Sequence, residues 1–188
     1  MIFTPATAAR LAGLGILGVI VQTAAISQIT VFGAPVDVFP LVVAAVGLFA
    51  GAVGGAGFGF AAGLFVDIAL LQTVGVTSLI YVAIGYGAGR LRELRDPGHG
   101  LTPMAVGAAA TAAATVGFAV LTFMLGIDAP VSLLLVRQIL ITVVVNTLLA
   151  LPVFALVRRI LDPYLPDDPR RRRRRASTTG GLSPLSRA

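Results

Sequence analysis

Five glycines spaced four residues apart, Gly47, Gly51, Gly55, Gly59 and Gly63, with Asp67 as the next step of the series, constrain this chain more than any other feature. Residues four apart on a helix share one side, so the series describes a strip along which another backbone can approach closely. In lipid, where apolar side chains gain little by leaving one apolar environment for another, such strips are a principal means of helix association. An acid at the end of the strip suits lipid only if it faces protein.

The rest of the chain makes lipid the relevant solvent. Of 188 residues, 57% are hydrophobic and 12% charged, and mean hydropathy is +0.96. The charge lies in short patches between apolar runs about long enough to cross a bilayer. This pattern reads as an all-α, polytopic integral membrane protein with one transmembrane helical domain over residues 1–161 and a tail over 162–188. There are no cysteines, which excludes disulfides, thiolate metal sites and cysteine nucleophiles. The net charge of +6 resembles a nucleic-acid signal until it is located. Arg170, Arg171, Arg172, Arg173, Arg174 and Arg175 form one run, and elsewhere arginines and acids balance. Beside a membrane segment that run reads as a cytoplasmic topology signal and a contact for anionic lipid. Nucleic-acid binding would need aromatic platforms or a fold that places the charges, so no such partner is expected. The Pro-, Arg- and Ser-rich tail has too little apolar content to fold alone and reads as disordered.

Along the chain, an apolar run from Leu11 to about Ile26 reads as an uncleaved first span, made polar in its outer half by Gln22, Ser27, Gln28 and Thr30. The stretch Gly33-Ala-Pro-Val-Asp37-Val-Phe-Pro40 reads as a turn and a helix start, with Asp37 as N-cap. From Phe39 to Gln72 there are 34 residues, about 51 Å of helix, too long for one crossing and tight for two. The Gly54-Gly55 pair is the natural point of reversal, giving two short crossings of about sixteen and eighteen residues with Gly55 at a cytoplasmic turn. The alternative is one span plus a re-entrant segment. A fourth segment from Val76 to Gly89 again has glycines four apart, Gly85 and Gly89. The charged loop from Arg90 to Gly100 follows, then segments at Pro103–Leu125 and Val131 to about Val157, closed by Arg158 and Arg159. Six helices place every dense arginine patch and both termini in the cytoplasm, as the positive-inside rule requires, whereas the re-entrant alternative puts one patch outside.

Two ionisable residues fall within these spans, Asp67 and Arg137, at similar depth. An unpaired charge there costs at least a few kcal/mol, so a mutual ion pair completed by Gln22, Gln28 and Gln138 is expected, with snorkelling of Arg137 to the interface as the alternative. Asn146, nine residues from Arg137, lies on roughly the opposite face of its helix and should bond a different neighbour. His99, the one histidine, has no second ligand nearby in sequence, and no acidic cluster suits Mg²⁺. No catalytic, metal or cofactor site is expected.

The order of these features resembles the MreD family of rod shape-determining membrane proteins. The resemblance rests on the glutamines of the first helix, the Gly33-Ala-Pro-Val-Asp37-Val-Phe-Pro-Leu41 turn, and Gly47-Leu-Phe-Ala-Gly51 leading to Gly59-Phe60-Ala-Ala-Gly63-Leu64-Phe-Val-Asp67. It continues through Gly75 and Tyr81-Val-Ala-Ile-Gly85-Tyr86, covering roughly residues 9–160. The polyarginine tail departs from the family pattern. The resemblance implies a non-enzymatic subunit of the cell-elongation machinery in the bacterial inner membrane. Its implied partners are MreC, MreB, RodA and a class B penicillin-binding protein. The glycine ladder, Phe60, Asp67, Arg137 and Gln28 are then the candidate packing and partner residues. The family is also similar in shape to the S-components of energy-coupling-factor vitamin transporters, which implies as alternative a small-solute binding subunit with a polar pocket near its outer face.

Overall fold

The computed structural model describes residues 37–94, 101–126 and 133–161, and positions 13, 15–18, 20, 22, 30–31 and 34–35 of the leading segment. Gln28, the loop around His99 and the arginine run lie outside the described residues.

Helix α1, Phe39–Ala50, is the centre of the molecule. Apolar residues occupy every side of it, and Leu41, Val43, Ala44, Ala45 and Val46 have no exposed surface, the signature of a helix enclosed by protein rather than lipid. It contacts all four of the other long helices. At its start, Asp37 Oδ1 accepts the Phe39 N–H at 3.1 Å and Gln22 Oε1 accepts the Val38 N–H at 3.1 Å. Pro40 supplies the fixed φ of a first turn without adding a free donor. The carboxylate of Asp37 therefore works as expected of a cap, although Val38 occupies the N-cap position.

The chain reverses at Gly51, not at Gly54-Gly55. Gly51 has φ 89° and ψ 175°, a region essentially restricted to glycine. One such residue suffices to turn the chain sharply, so α2 begins at once and spans Ala52–Ala69. Gly54 and Gly55 are ordinary residues of α2. The first arm is consequently shorter than the sequence suggests: α1 has 12 residues, about 18 Å of rise against a hydrocarbon core of about 30 Å.

Helix α3, Val76–Leu94, runs antiparallel to α2 and continues through Arg90, Arg92 and Glu93, which the sequence reading assigned to a loop. A helix leaving lipid carries its last turns into the polar interface, so charge does not end it. Helix α4 is Thr102–Met124 and α5 is Leu133–Leu161. Helix α5 likewise continues past Arg158 and Arg159. Helices α2, α4 and α5 are long and apolar enough to cross a membrane. Many large apolar side chains face outward, including Phe60 and Ile68 on α2 and Leu133, Leu140, Val144 and Leu148 on α5, while Asp67, Thr111, Thr142 and Asn146 are buried. Polar groups inside and apolar groups outside are the distribution expected where lipid is the solvent.

Ahead of α1, Thr30–Val31 and Ala34–Pro35 pair as a two-residue antiparallel ladder lying against α5, a strand contact within an otherwise helical fold. The helical positions Gly15 and Gly18 of the leading segment face Phe58 and Phe39: a Cβ at Gly18 would stand 2.8 Å from Phe39 Cε2.

Candidate functional site

Two features lie where side-chain chemistry and backbone geometry concentrate: the glycine contact around α1, α2 and α3, and a cavity at the end of the bundle opposite Arg90, Arg92, Arg158 and Arg159.

The glycine ladder becomes a contact between backbones. A Cβ at Gly59 would lie 2.6 Å from the Tyr81 carbonyl carbon, and one at Gly63 would lie 2.5 Å from the Ser78 nitrogen. Reciprocally, a Cβ at Gly85 would lie 2.5 Å from the Gly55 carbonyl carbon, and one at Gly89 would lie 2.5 Å from the Gly51 carbonyl carbon. Successive rungs climb four residues along α2 and descend four along α3, the register of an antiparallel pair meeting on its glycine faces. The reversal at Gly51 adds the third backbone, since a Cβ at Gly55 would be 2.5 Å from Gly47 Cα and 2.8 Å from the Gly85 carbonyl carbon. Gly47, Gly55 and Gly85 thus form a node at which three helices touch without side chains between them. Ser78 Oγ donates to the Phe60 carbonyl at 3.3 Å, while the Phe60 ring faces outward.

Asp67, at the head of the ladder, is fully buried. Its Oδ2 accepts the Gly75 N–H at 2.7 Å, and its carbonyl accepts the Gln72 N–H at 2.9 Å. Gly75 has φ 101°, so the carboxylate holds the left-handed turn by which the chain passes from α2 into α3. Asp67 Oδ1 has no hydrogen-bond partner. The expected ion pair with Arg137 is not present: Arg137 lies on an exposed face of α5. Depth along a helix was the only coordinate available from the sequence, and the two residues differ in direction around their helices. Gln22 bonds Val38 instead, and Gln138 lines the cavity described below.

Asn146 turns inward, as its separation from Arg137 requires. Its Nδ2 donates to the Asp37 carbonyl and, at 3.3 Å, to Thr111 Oγ1. This bond ties the start of α1 to the middle of α5. Toward the other end of α1, Phe49 meets Phe154 edge-on with ring centroids 6.3 Å apart, and the Phe49 carbonyl accepts an Arg92 guanidinium N–H. Helix α1 therefore occupies only the arginine-bearing half of the bundle.

The half left free by α1 contains a cavity of about 640 Å³. Its walls come from the second halves of α2 and α4 and the first halves of α3 and α5. Phe39 and Tyr81 stack there with centroids 5.6 Å apart, and Asp37, Gln72, Gln138 and a set of threonines supply polar groups. Several of these threonines sit on α4, where Thr111, Thr115 and Thr122 turn their hydroxyls back to the carbonyls four residues earlier. The sequence reading named a polar pocket near the outer face only as what the transporter alternative implied; of the residues it set at that depth, Gln22 and Gln138 line the cavity and Asp67 and Arg137 do not. The cavity's signal was the pair of prolines around Asp37, which mark a chain that enters the bundle late and leaves space beside it. Among the described residues, no three histidine, aspartate or glutamate side chains cluster to hold a metal ion.

No curated protein and no solved structure matches the chain. A family model does: that of rod shape-determining protein MreD, over residues 11–160. The matched span takes in the leading segment, the glycine contact, Asp67 and nearly all of α5, that is, the helical bundle itself. The chain belongs to the MreD family and is a membrane protein of the rod shape-determining class.

Proposed function

We propose that this chain is a non-enzymatic, multi-pass scaffold of the complex that elongates the peptidoglycan wall at the bacterial inner membrane. In this role it binds an MreC-like single-span protein and stands beside MreB, RodA and a class B penicillin-binding protein. The observation that carries the reading is the family match, which coincides with the bundle rather than with one motif. The build of the bundle supports it. The glycine faces hold three helices together at backbone distance, while Asp67 holds the Gly75 turn and Asn146 the start of α1. A rigid, apolar-surfaced body of this kind suits presentation of helix faces to partners in the bilayer.

The arginine-bearing end, with Arg90, Arg92, Arg158 and Arg159, is the cytoplasmic one in this proposal. Both termini then lie inside, and α1 crosses the inner half of the bilayer. The tail over 162–188 follows α5 into the cytoplasm, where Arg170–Arg175 contact anionic lipid. The cavity favours a second reading, a small-solute binding subunit of a transporter. Affinity purification from native membranes with identification of co-purified proteins separates the two. The scaffold reading expects an MreC-like protein with elongation enzymes. Recovery of a transporter ATPase without elongation proteins overturns it.

A further inference from the structure

The cavity at the end opposite Arg90, Arg92, Arg158 and Arg159 has an uneven chemical character, and Arg137, on the same stretch of α5, is exposed and does not line it. Its volume of about 640 Å³ lies within the range of about 300–1,000 Å³ that takes a small organic molecule. Its walls are mostly apolar, with the stacked Phe39 and Tyr81 rings on one side. Among the described residues, Asp37 is the one carboxylate that lines the space, and no arginine, lysine or histidine does. The carboxylate makes a single hydrogen bond, from the Phe39 N–H to Oδ1, and has no cationic partner among the described residues. Its second oxygen accepts no hydrogen bond from the described residues. A carboxylate in such surroundings lacks the countercharge that buried charges ordinarily require.

The same site is unsuited to an anion. The start of a helix attracts negative charge through its free N–H groups, but here Asp37 and Gln22 take the Phe39 and Val38 N–H groups, Pro40 has none, and the Val38 carbonyl takes that of Leu41. What remains for a ligand is one negative oxygen beside mostly apolar walls. A carboxylate without a countercharge attracts a positive charge.

We propose that this cavity binds a small organic cation, an ammonium group carried on an apolar body, with the ammonium on Asp37 and the body against the apolar walls that Val66, Leu70, Leu135 and Ile139 supply. The inference stands on the cavity and its lining and does not depend on the scaffold reading.

The test uses the full chain in phosphatidylglycerol nanodiscs, free of amine lipids, titrated calorimetrically with three probes of one shape and different charge: phenethylammonium, 2-phenylethanol and 3-phenylpropionate. The expected order is cation over alcohol over carboxylate, with the cation at least about tenfold tighter than the alcohol, since a hydrogen bond to a charged partner discriminates by roughly that factor. Asp37→Asn retains an acceptor for the Phe39 N–H, so the fold persists while the preference for the cation is expected to fall to that for the alcohol. Ala119→Leu, which fills the cavity from α4, is expected to weaken the cation and the alcohol together. Adding phosphatidylethanolamine distinguishes sources: suppression of the phenethylammonium response assigns the ammonium to a lipid headgroup, and an unchanged response assigns it to a free amine, both within the proposed chemistry. Binding of none of the probes, equal affinity for all three, or a cation preference that survives Asp37→Asn overturns the proposal. So does cation binding untouched by Ala119→Leu, whether or not the Asp37 variant folds.

Discussion

Adding one methyl group at Gly59 tests the backbone contact more sharply than any larger change, because the same methyl at Gly57 supplies its control. A Cβ at Gly59 would stand 2.6 Å from the Tyr81 carbonyl carbon and 3.0 Å from the Val82 nitrogen. Ordinary contact begins at about 3.5 Å, so α2 and α3 must part by roughly 1 Å at this rung. The obstacle is backbone, which cannot rotate aside, and the Gly55 and Gly63 rungs lie one turn to either side, so the separation loosens them as well. Overpacking a well-filled interior costs about 1–3 kcal/mol, and the upper half of that range applies here. A Cβ at Gly57 meets nothing within 4 Å, and alanine in place of glycine within a helix stabilises by up to about 1 kcal/mol. The two variants should therefore differ by roughly 3 kcal/mol, with Gly59→Ala below the wild type and Gly57→Ala at or above it. Unfolding of the purified protein in mixed micelles of increasing dodecyl sulfate fraction, followed by helical circular dichroism, measures the difference. A Gly59→Ala midpoint equal to or above that of Gly57→Ala would refute the argument.

Three further outcomes follow from the polar groups, each read in the same unfolding assay. Asp67→Ala leaves the Gly75 N–H without its acceptor and should destabilise by about 1–3 kcal/mol, whereas Asp67→Asn retains an acceptor and should lie closer to the wild type; equal losses would show that the hydrogen bond is not what the residue contributes. Asn146→Ala frees both the Asp37 carbonyl and Thr111 Oγ1 and should also lose about 1–3 kcal/mol, while an unchanged midpoint would deny it a role in anchoring α1. Arg137→Gln should shift stability by no more than about 0.5 kcal/mol, because the side chain is exposed; a loss as large as that of Asp67→Ala would restore the ion pair as an explanation.

What the sequence disclosed and what it withheld divide along one line. Periodicity along the chain was legible: the ladder, its role in close packing and the burial of Asp67 all follow from spacing four residues apart in an apolar context. Direction across the chain was not. Gly85 and Gly89 were visible as a second pair, but nothing local states that they face Gly55 and Gly51. Asp67 and Arg137 matched in depth and still point apart. The reversal moved from Gly54-Gly55 to Gly51 because two adjacent glycines appear more permissive than one, whereas the turn needs only a single residue with φ near +90°. Helices α3 and α5 outran their predicted ends because arginine terminates an apolar run without terminating a helix. The cavity arises from the shortness of α1, a consequence of that same single-residue reversal and of the late entry at Asp37.

The central claim is that this bundle serves wall elongation as a scaffold, and the dimensions of cells depleted of the chain test it most directly. In a rod-shaped bacterium that encodes it, depletion is expected to widen and round the cells. Expression of the wild type or of Gly57→Ala should restore rods, while a Gly59→Ala protein held at equal abundance should restore them poorly. Cells that keep their length and width through depletion would contradict the account.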